Sequence, residues 1–214
     1  MKKGDIIWGI LLAGIIAFLV APVTRNIFTS VTVSKPFLMG FVKFSILATM
    51  GEFLAIRIIR GAWEKPIGFI YKTIVWGIIG IIIVYMFKMF PAGIEATVES
   101  GLLPIGQGVF GVVMVAFLSS AIMNLTFGPI FMAAHRISDS YIEGRCQYQK
   151  VKISTIISRI DWAEFIRFIL GKTIPFFWIP MHTISFLLPD EYRVLSAAFL
   201  SIALGGILAY AKQK

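Results

Sequence analysis

Residues 74–87 read IVWGIIGIIIVYMF, an apolar run without a charge or a proline. It sits inside a longer segment, Pro66 to Phe87, whose only charged side chain is Lys72. A helix needs roughly 20 apolar residues to cross a hydrocarbon core about 30 Å thick, and this segment supplies them. Five further apolar segments flank it: Ile6 to Pro22, Pro36 to Ile58, Pro104 to His135, Asp161 to Leu188, and Val194 to Tyr210. Over all 214 residues, 58% are hydrophobic and 14% charged. Ordinary soluble domains hold about 45–50% and about 25%. The pattern predicts an all-α fold, a polytopic membrane helix bundle with about six apolar segments, four to six of them true spans. Residues 1–214 are read as a single integral membrane domain.

Three segments carry local qualifications. The first follows Lys2 and Lys3, as the apolar core of a secretory signal also does. Ala21-Pro22 makes a poor cleavage site, so a retained span is expected. In the fourth, Gly128-Pro129 is expected to break or kink the helix. The fifth is interrupted by Pro175 and Pro180. Its opening, DWAEFIRFILGK, places Trp162, Phe165, Ile166 and Ile169 on one face, as a short interfacial helix does. Glu164 and Arg167, three positions apart, are expected to pair.

The net charge is +9, from 20 basic and 11 acidic residues. With six spans and the N-terminus inside, twelve basic residues fall inside. They are Lys2, Lys3, Arg57, Arg60, Lys65, Arg136, Arg145, Lys150, Lys152, Arg159, Lys212 and Lys214. Only Arg25, Lys35, Lys88 and Arg193 fall outside. Cytoplasmic loops of membrane proteins concentrate Lys and Arg, so both termini are expected in the cytoplasm. The excess charge is therefore assigned to topology, and no nucleic-acid partner is expected. Residues 136–160 form the one substantial polar stretch and are read as a cytoplasmic loop containing a short helix. A docking site for an anionic partner or lipid headgroup is the sharper reading of the same residues.

Ionisable and polar groups inside apolar segments are costly, and each is a candidate for function. The candidates for lining a pore or meeting a substrate are Lys43, Glu52, Lys72, Asn124, Arg167, Lys172 and His182. Lys43 and Glu52 stand nine residues apart, on opposite faces of one helix. A pair between Glu52 and Lys72 on neighbouring helices is geometrically open. Lysines can also snorkel to the headgroups. Asn124 belongs to a small-residue stripe, Gly108, Ala116, Ser120, Asn124 and Gly128, of the kind that lets membrane helices approach closely. Gly68, Gly77 and Gly80 are read as packing positions. His182 lies in TIPFFWIPMHTISFLLP, whose prolines free backbone carbonyls and whose Trp178 and phenylalanines resemble an interfacial belt. With one cysteine, Cys146, and two histidines, no metal site, cofactor or clustered catalytic group is expected, and an enzyme is not.

Three blocks resemble the Mpv-seventeen family, which includes the peroxisomal twenty-two-kilodalton membrane protein. KPFLMGFVKFSILATMGEFLAIR, residues 35–57, is similar to the family's opening, with Gly51-Glu52 where the family has Gly-Asp. NLTFGPIFMAAHRISD, residues 124–139, keeps the Gly-Pro and a later Asp. It has Met132-Ala133-Ala134 in place of the family's histidine and aromatics. IPFFWIPMHTISFLLPDEYRV, residues 174–194, is similar to the family's most recognisable block through Pro175, Ser185-Phe186, Leu188-Pro189 and Tyr192-Arg193. Leu204-Gly205-Gly206 stand where the family has Trp-Asn. The resemblance implies a distant member, with a prokaryotic source as the expectation. It also implies a small membrane protein forming a weakly selective channel.

The expected function is therefore a channel or transporter for small solutes. Anions are favoured by the surplus of Lys43, Lys72, Arg167 and Lys172 over Glu52 and Glu164. The alternative is a non-transporting scaffold or assembly factor, acting through helix packing and the 136–160 loop. The partners expected are the lipid bilayer, small solutes and a second copy of the chain. Without an Arg- and Ser-rich leader, a bacterial plasma membrane is favoured over an organelle inner membrane.

Overall fold

The computed structural model describes residues 2–148 and 151–211. Lys150, Lys212 and Lys214, three of the basic residues counted above, lie outside the described residues. In chain order the helices are α1 (Lys3–Val20), α2 (Pro22–Ser34), α3 (Pro36–Arg60), α4 (Phe69–Glu99), α5 (Val109–Tyr148), α6 (Ile153–Arg159) and α7 (Trp162–Phe165). A π-helix (Ile166–Trp178), α8 (Ile179–Leu187) and α9 (Asp190–Ala211) complete them. No strand occurs among the described residues. Five helices are long and apolar enough to cross a membrane: α1, α3, α4, α5 and α9. The fifth apolar segment takes another form. Helical backbone runs from Trp162 through the π-helix to Leu187 without a break.

The helices exceed the expected segments at several places, α4 among them, which continues past Phe87 to Glu99. Residues 22–34, between the first two apolar segments, form α2, with Pro22 at the first helical position, where its missing N–H costs nothing. Phe28 and Thr32 are its buried face. Helix α5 is 40 residues long and continues through Gly128-Pro129. A proline removes one ladder bond. Here the flanking turns are buried at Met123, Asn124 and Gly128, and that packing holds the helix. The stretch 136–160 is mostly helix, not loop, because α5 continues to Tyr148 and α6 follows.

The chain divides into two compact units. The first comprises Met1–Pro66, Thr73–Ile81 and Ala198–Lys214. Within it, α3 is the helix that its neighbours meet. A Cβ on Gly80 of α4 would fall 2.1 Å from the Gly40 carbonyl oxygen of α3, and one on Gly77 would fall 2.3 Å from the Phe41 ring. The two backbones meet directly. Ser45 Oγ donates to the Thr73 carbonyl at 3.1 Å, and the Thr49 and Thr73 hydroxyls lie 3.3 Å apart. On another side, a Cβ on Gly51 would stand 3.0 Å from the Ile202 Cα of α9, and one on Gly205 3.2 Å from the Gly51 carbonyl oxygen. Lipid offers helices no hydrophobic reason to associate, so close backbone approach at small residues and interhelical hydrogen bonds hold them together.

Helix α1 buries none of its residues and is fixed mainly at one end. Arg57 Nε donates to Asp5 Oδ1 at 2.7 Å, the Trp63 indole donates to the same carboxylate at 2.8 Å, and Lys2 Nζ donates to the Gly61 carbonyl. Trp8 Nε1 reaches the Met50 carbonyl at 3.1 Å. These contacts set α1 antiparallel to α3.

The second unit comprises Ile67–Lys72 and Ile82–Ala197. Helix α5 packs against the π-helix and α8. At its edge, Asp190 accepts from Lys88 Nζ and from Arg193 at 2.8 Å each, and Arg193 Nε also donates to the Leu188 carbonyl at 2.9 Å. This arrangement joins the start of α9 to α4 within that unit.

Gly80→Ala is expected to destabilise the protein by about 1–3 kcal/mol, the cost of overpacking a close contact. Gly93→Ala, on the same helix with open space at its Cβ, is expected to leave stability unchanged or raise it by up to about 1 kcal/mol. Thermal melts of the two variants in detergent compare these outcomes directly.

Candidate functional site

The polar stripe of α5 is buried from Ala116 to Gly128 and lies against the proline-rich segment. Its outer positions differ. Gly108 precedes the helix with φ +91°, and Val112 is exposed. Ser119 and Ser120 are fully buried, and so is Ser185 of α8. Ser119 Oγ donates back to the Val115 carbonyl at 2.7 Å, which removes it from the seam.

Ser120 Oγ donates across to the Ile179 carbonyl at 2.7 Å, and Thr183 Oγ1 donates to the same oxygen at 2.7 Å. The prolines explain why the backbone before Ile179 departs from α-geometry. In α-geometry a proline ring clashes with the carbonyl four residues earlier. Pro175 and Pro180 each impose that clash, and the backbone widens to π-geometry, with the Ile179 N–H donating to the Ile174 carbonyl. π-Bulges mark functional sites often. In lipid, backbone carbonyls are satisfied within the protein, and Ser120 reaches the Ile179 carbonyl from α5 as an additional donor.

One turn along α5, Asn124 Nδ2 donates to the Ser120 carbonyl at 2.8 Å and meets His182 Nδ1 at 3.1 Å. A carbonyl only accepts, so the nearby Asn124 atom is the amide nitrogen. His182 Nδ1 then accepts, and the ring proton sits on Nε2. The His182 ring is buried, edge-on to Phe87 at 5.1 Å between centroids and tilted against Trp178 at 4.9 Å. Phe87 also contacts Phe186 at 4.9 Å. The Trp178 indole nitrogen is buried and has no hydrogen-bond partner among the described residues. The indole stands beside His182, and Phe176 of the same segment is exposed.

The structure thus brings together Asn124 and His182 and adds Ser120 and Trp178. The other candidates lie elsewhere. Lys43 is buried, with its ammonium 4.6 Å from the centroid of the Phe28 ring, an α2 residue. A cation over an aromatic face is stabilised by the ring quadrupole. Glu52 is half-buried on α3. Lys72 is buried and donates to Glu143 Oε1 of α5 at 2.8 Å. Glu143 is not a partner that the sequence points to, because its polar surroundings read as the 136–160 loop. Arg167 and Lys172 are exposed. Arg167 and Glu164 make no ion pair with each other among the described residues; Glu164 instead takes the N-cap contact, its N–H donating to Asp161 Oδ1 at 2.8 Å. An i,i+3 pair between exposed side chains gains little, and nothing else holds this one.

The seam offers donors, acceptors and an aromatic wall. It contains no nucleophile paired with a base. Trp178 and Ser120 carried a weak signal in the sequence: a tryptophan between two prolines, and a serine one turn before Asn124.

No protein-family model, curated protein or solved structure matches the chain.

Asn124→Ala and His182→Ala each remove one side of a buried hydrogen bond and are expected to be non-additive. A double-mutant cycle should give a coupling of about 0.5–2 kcal/mol. Additivity within about 0.3 kcal/mol would show that the two side chains do not interact.

Proposed function

We propose that the protein is a weakly selective channel or transporter for small polar solutes, and that the seam of Ser120, Asn124, Trp178 and His182 meets them. The observation that carries this reading is the Trp178 indole N–H, buried and without an acceptor beside His182. Buried donors in native proteins nearly always have partners. A donor left open next to a polar cluster inside apolar helices is suited to a solute oxygen or water. The resemblance to the Mpv-seventeen family supports the same reading.

Anion preference is weaker than the four cations of the apolar segments alone imply. Glu143 compensates Lys72, and Arg167 and Lys172 stand on exposed surface. In the proposed orientation both termini face the cytoplasm of a bacterial cell, as the basic-residue bias suggests, and the unbroken run from Trp162 to Leu187 serves as the sixth span. A scaffold remains the second reading. Helix α1, with no buried residue, favours it, because such a helix has most of its surface available to lipid or to a second copy.

Purified protein in a planar bilayer under a salt gradient is expected to conduct. Trp178→Phe, which removes one hydrogen-bond donor worth about 1 kcal/mol, should alter conductance about fivefold. Lys43→Gln should move the reversal potential away from the anion limit. Folded, inserted protein that carries no current under any gradient would favour the scaffold.

A further inference from the structure

A second site lies at the polar end of α5, where α6 folds back beside it. A cavity of about 180 Å³ there is lined from α5 by Arg136, Ser140, Glu143, Gly144 and Gln147, and from α6 by Arg159 and its neighbours. The α5 residues recur at helical spacing and form one stripe. Gly144 sets the depth of the corner: a Cβ there would stand 3.1 Å from Ile156 Cδ1 of α6. Ile156 and Ile160 are buried and give the cavity an apolar floor. Ser140 and Tyr148 add hydroxyls to its wall.

The charges decide the ligand. Among the described residues of this lining Glu143 is the only acidic one, and Lys72 holds it at 2.8 Å. Arg136 and Arg159 are exposed and have no ion pair or hydrogen bond among the described residues. Two open guanidinium groups, hydroxyls and a compensated carboxylate form a cationic corner. Arginine forks fit phosphate oxygens well.

Position adds a second argument. Helix α5 is 40 residues long, or about 60 Å at 1.5 Å per residue, twice the hydrocarbon thickness. Its apolar part, from Val109 on, accounts for one crossing. The stripe from Arg136 to Gln147 then emerges at the level of the headgroups.

We infer that the α5–α6 corner binds a phosphate-bearing anion between Arg136 and Arg159, above the apolar floor of Ile156 and Ile160. An anionic phospholipid headgroup and a free phosphate share this chemistry. The site is independent of the seam and of any transport through it.

Isothermal titration of the full chain in neutral detergent distinguishes them, with short-chain phosphatidylglycerol, short-chain phosphatidylcholine and inorganic phosphate as probes. Saturable binding of phosphatidylglycerol is expected, about 30-fold weaker in Arg136→Gln/Arg159→Gln and largely retained in Arg136→Lys/Arg159→Lys. Arg167→Gln, which removes an exposed charge elsewhere, should leave it unchanged. Phosphatidylglycerol binding without inorganic phosphate binding identifies a lipid site; equal binding and competition by inorganic phosphate identifies a free-anion site. The inference is overturned if neither anion saturates, if phosphatidylcholine binds as tightly as phosphatidylglycerol, or if the double Gln variant, with an unchanged melt, binds like the wild type.

Discussion

The contact between Gly40 and Gly80 leaves no room for a Cβ, and it shows how this chain can fold at all in an apolar solvent. Lipid tails are as apolar as isoleucine, so burying the IVWGIIGIIIVYMF run against another helix gains nothing from water exclusion. Backbones must come close enough for dispersion and hydrogen bonding to act. Glycine permits this at Gly40, Gly51, Gly77, Gly80 and Gly205. Once α3 and α4 touch, the Ser45 and Thr49 hydroxyls reach Thr73. The ends are held differently. Asp5 gathers Arg57 and Trp63, groups that sit near the end of the apolar stretch, and so fixes the register of α1 on α3.

The same physics shapes the second unit, with hydroxyls in place of glycines. Two prolines five residues apart force the backbone of the fifth segment out of α-geometry as far as Trp178. From α5, Ser120 donates to the Ile179 carbonyl. That contact places Asn124 one turn away against His182, and His182 against Trp178. The polar seam thus rests on the contact of Ser120 with the proline-rich segment. It also leaves the indole N–H of Trp178 open, and the proposed function depends on that group.

Much of this was legible in the sequence. Segment lengths and the absence of charge predicted the five long apolar helices, because crossing a bilayer imposes a minimum length that few other structures need. The burial of Asn124 and His182 followed from the cost of polar groups in lipid. The pairing of Lys72 with Glu143 did not, because polarity alone made residues 136–148 read as loop, whereas Glu, Arg, Gln and Ser continue a helix well once an apolar stem nucleates it. Helix α2 was missed for a related reason: it is short and of mixed polarity, and its start depends on Pro22. Arg167 and Lys172 adjoin apolar residues in sequence and read as bordering the fifth segment, in its interfacial part. The turn geometry of the π-helix leaves both exposed, and adjacency could not reveal it. The anion preference argued from four cations is weakened accordingly.

The central claim is that the seam between α5 and the proline-rich segment is reached by solute from water. Cysteine accessibility tests it most directly. With Cys146 replaced by serine, single cysteines at Ser120 and Trp178 are compared in proteoliposomes with cysteines at Val112 and Leu125, which are exposed positions of α5. A small water-soluble thiol reagent is expected to label the seam positions and to spare the two exposed ones, which face lipid. Equal resistance at all four positions would contradict the account and leave the seam as helix packing alone.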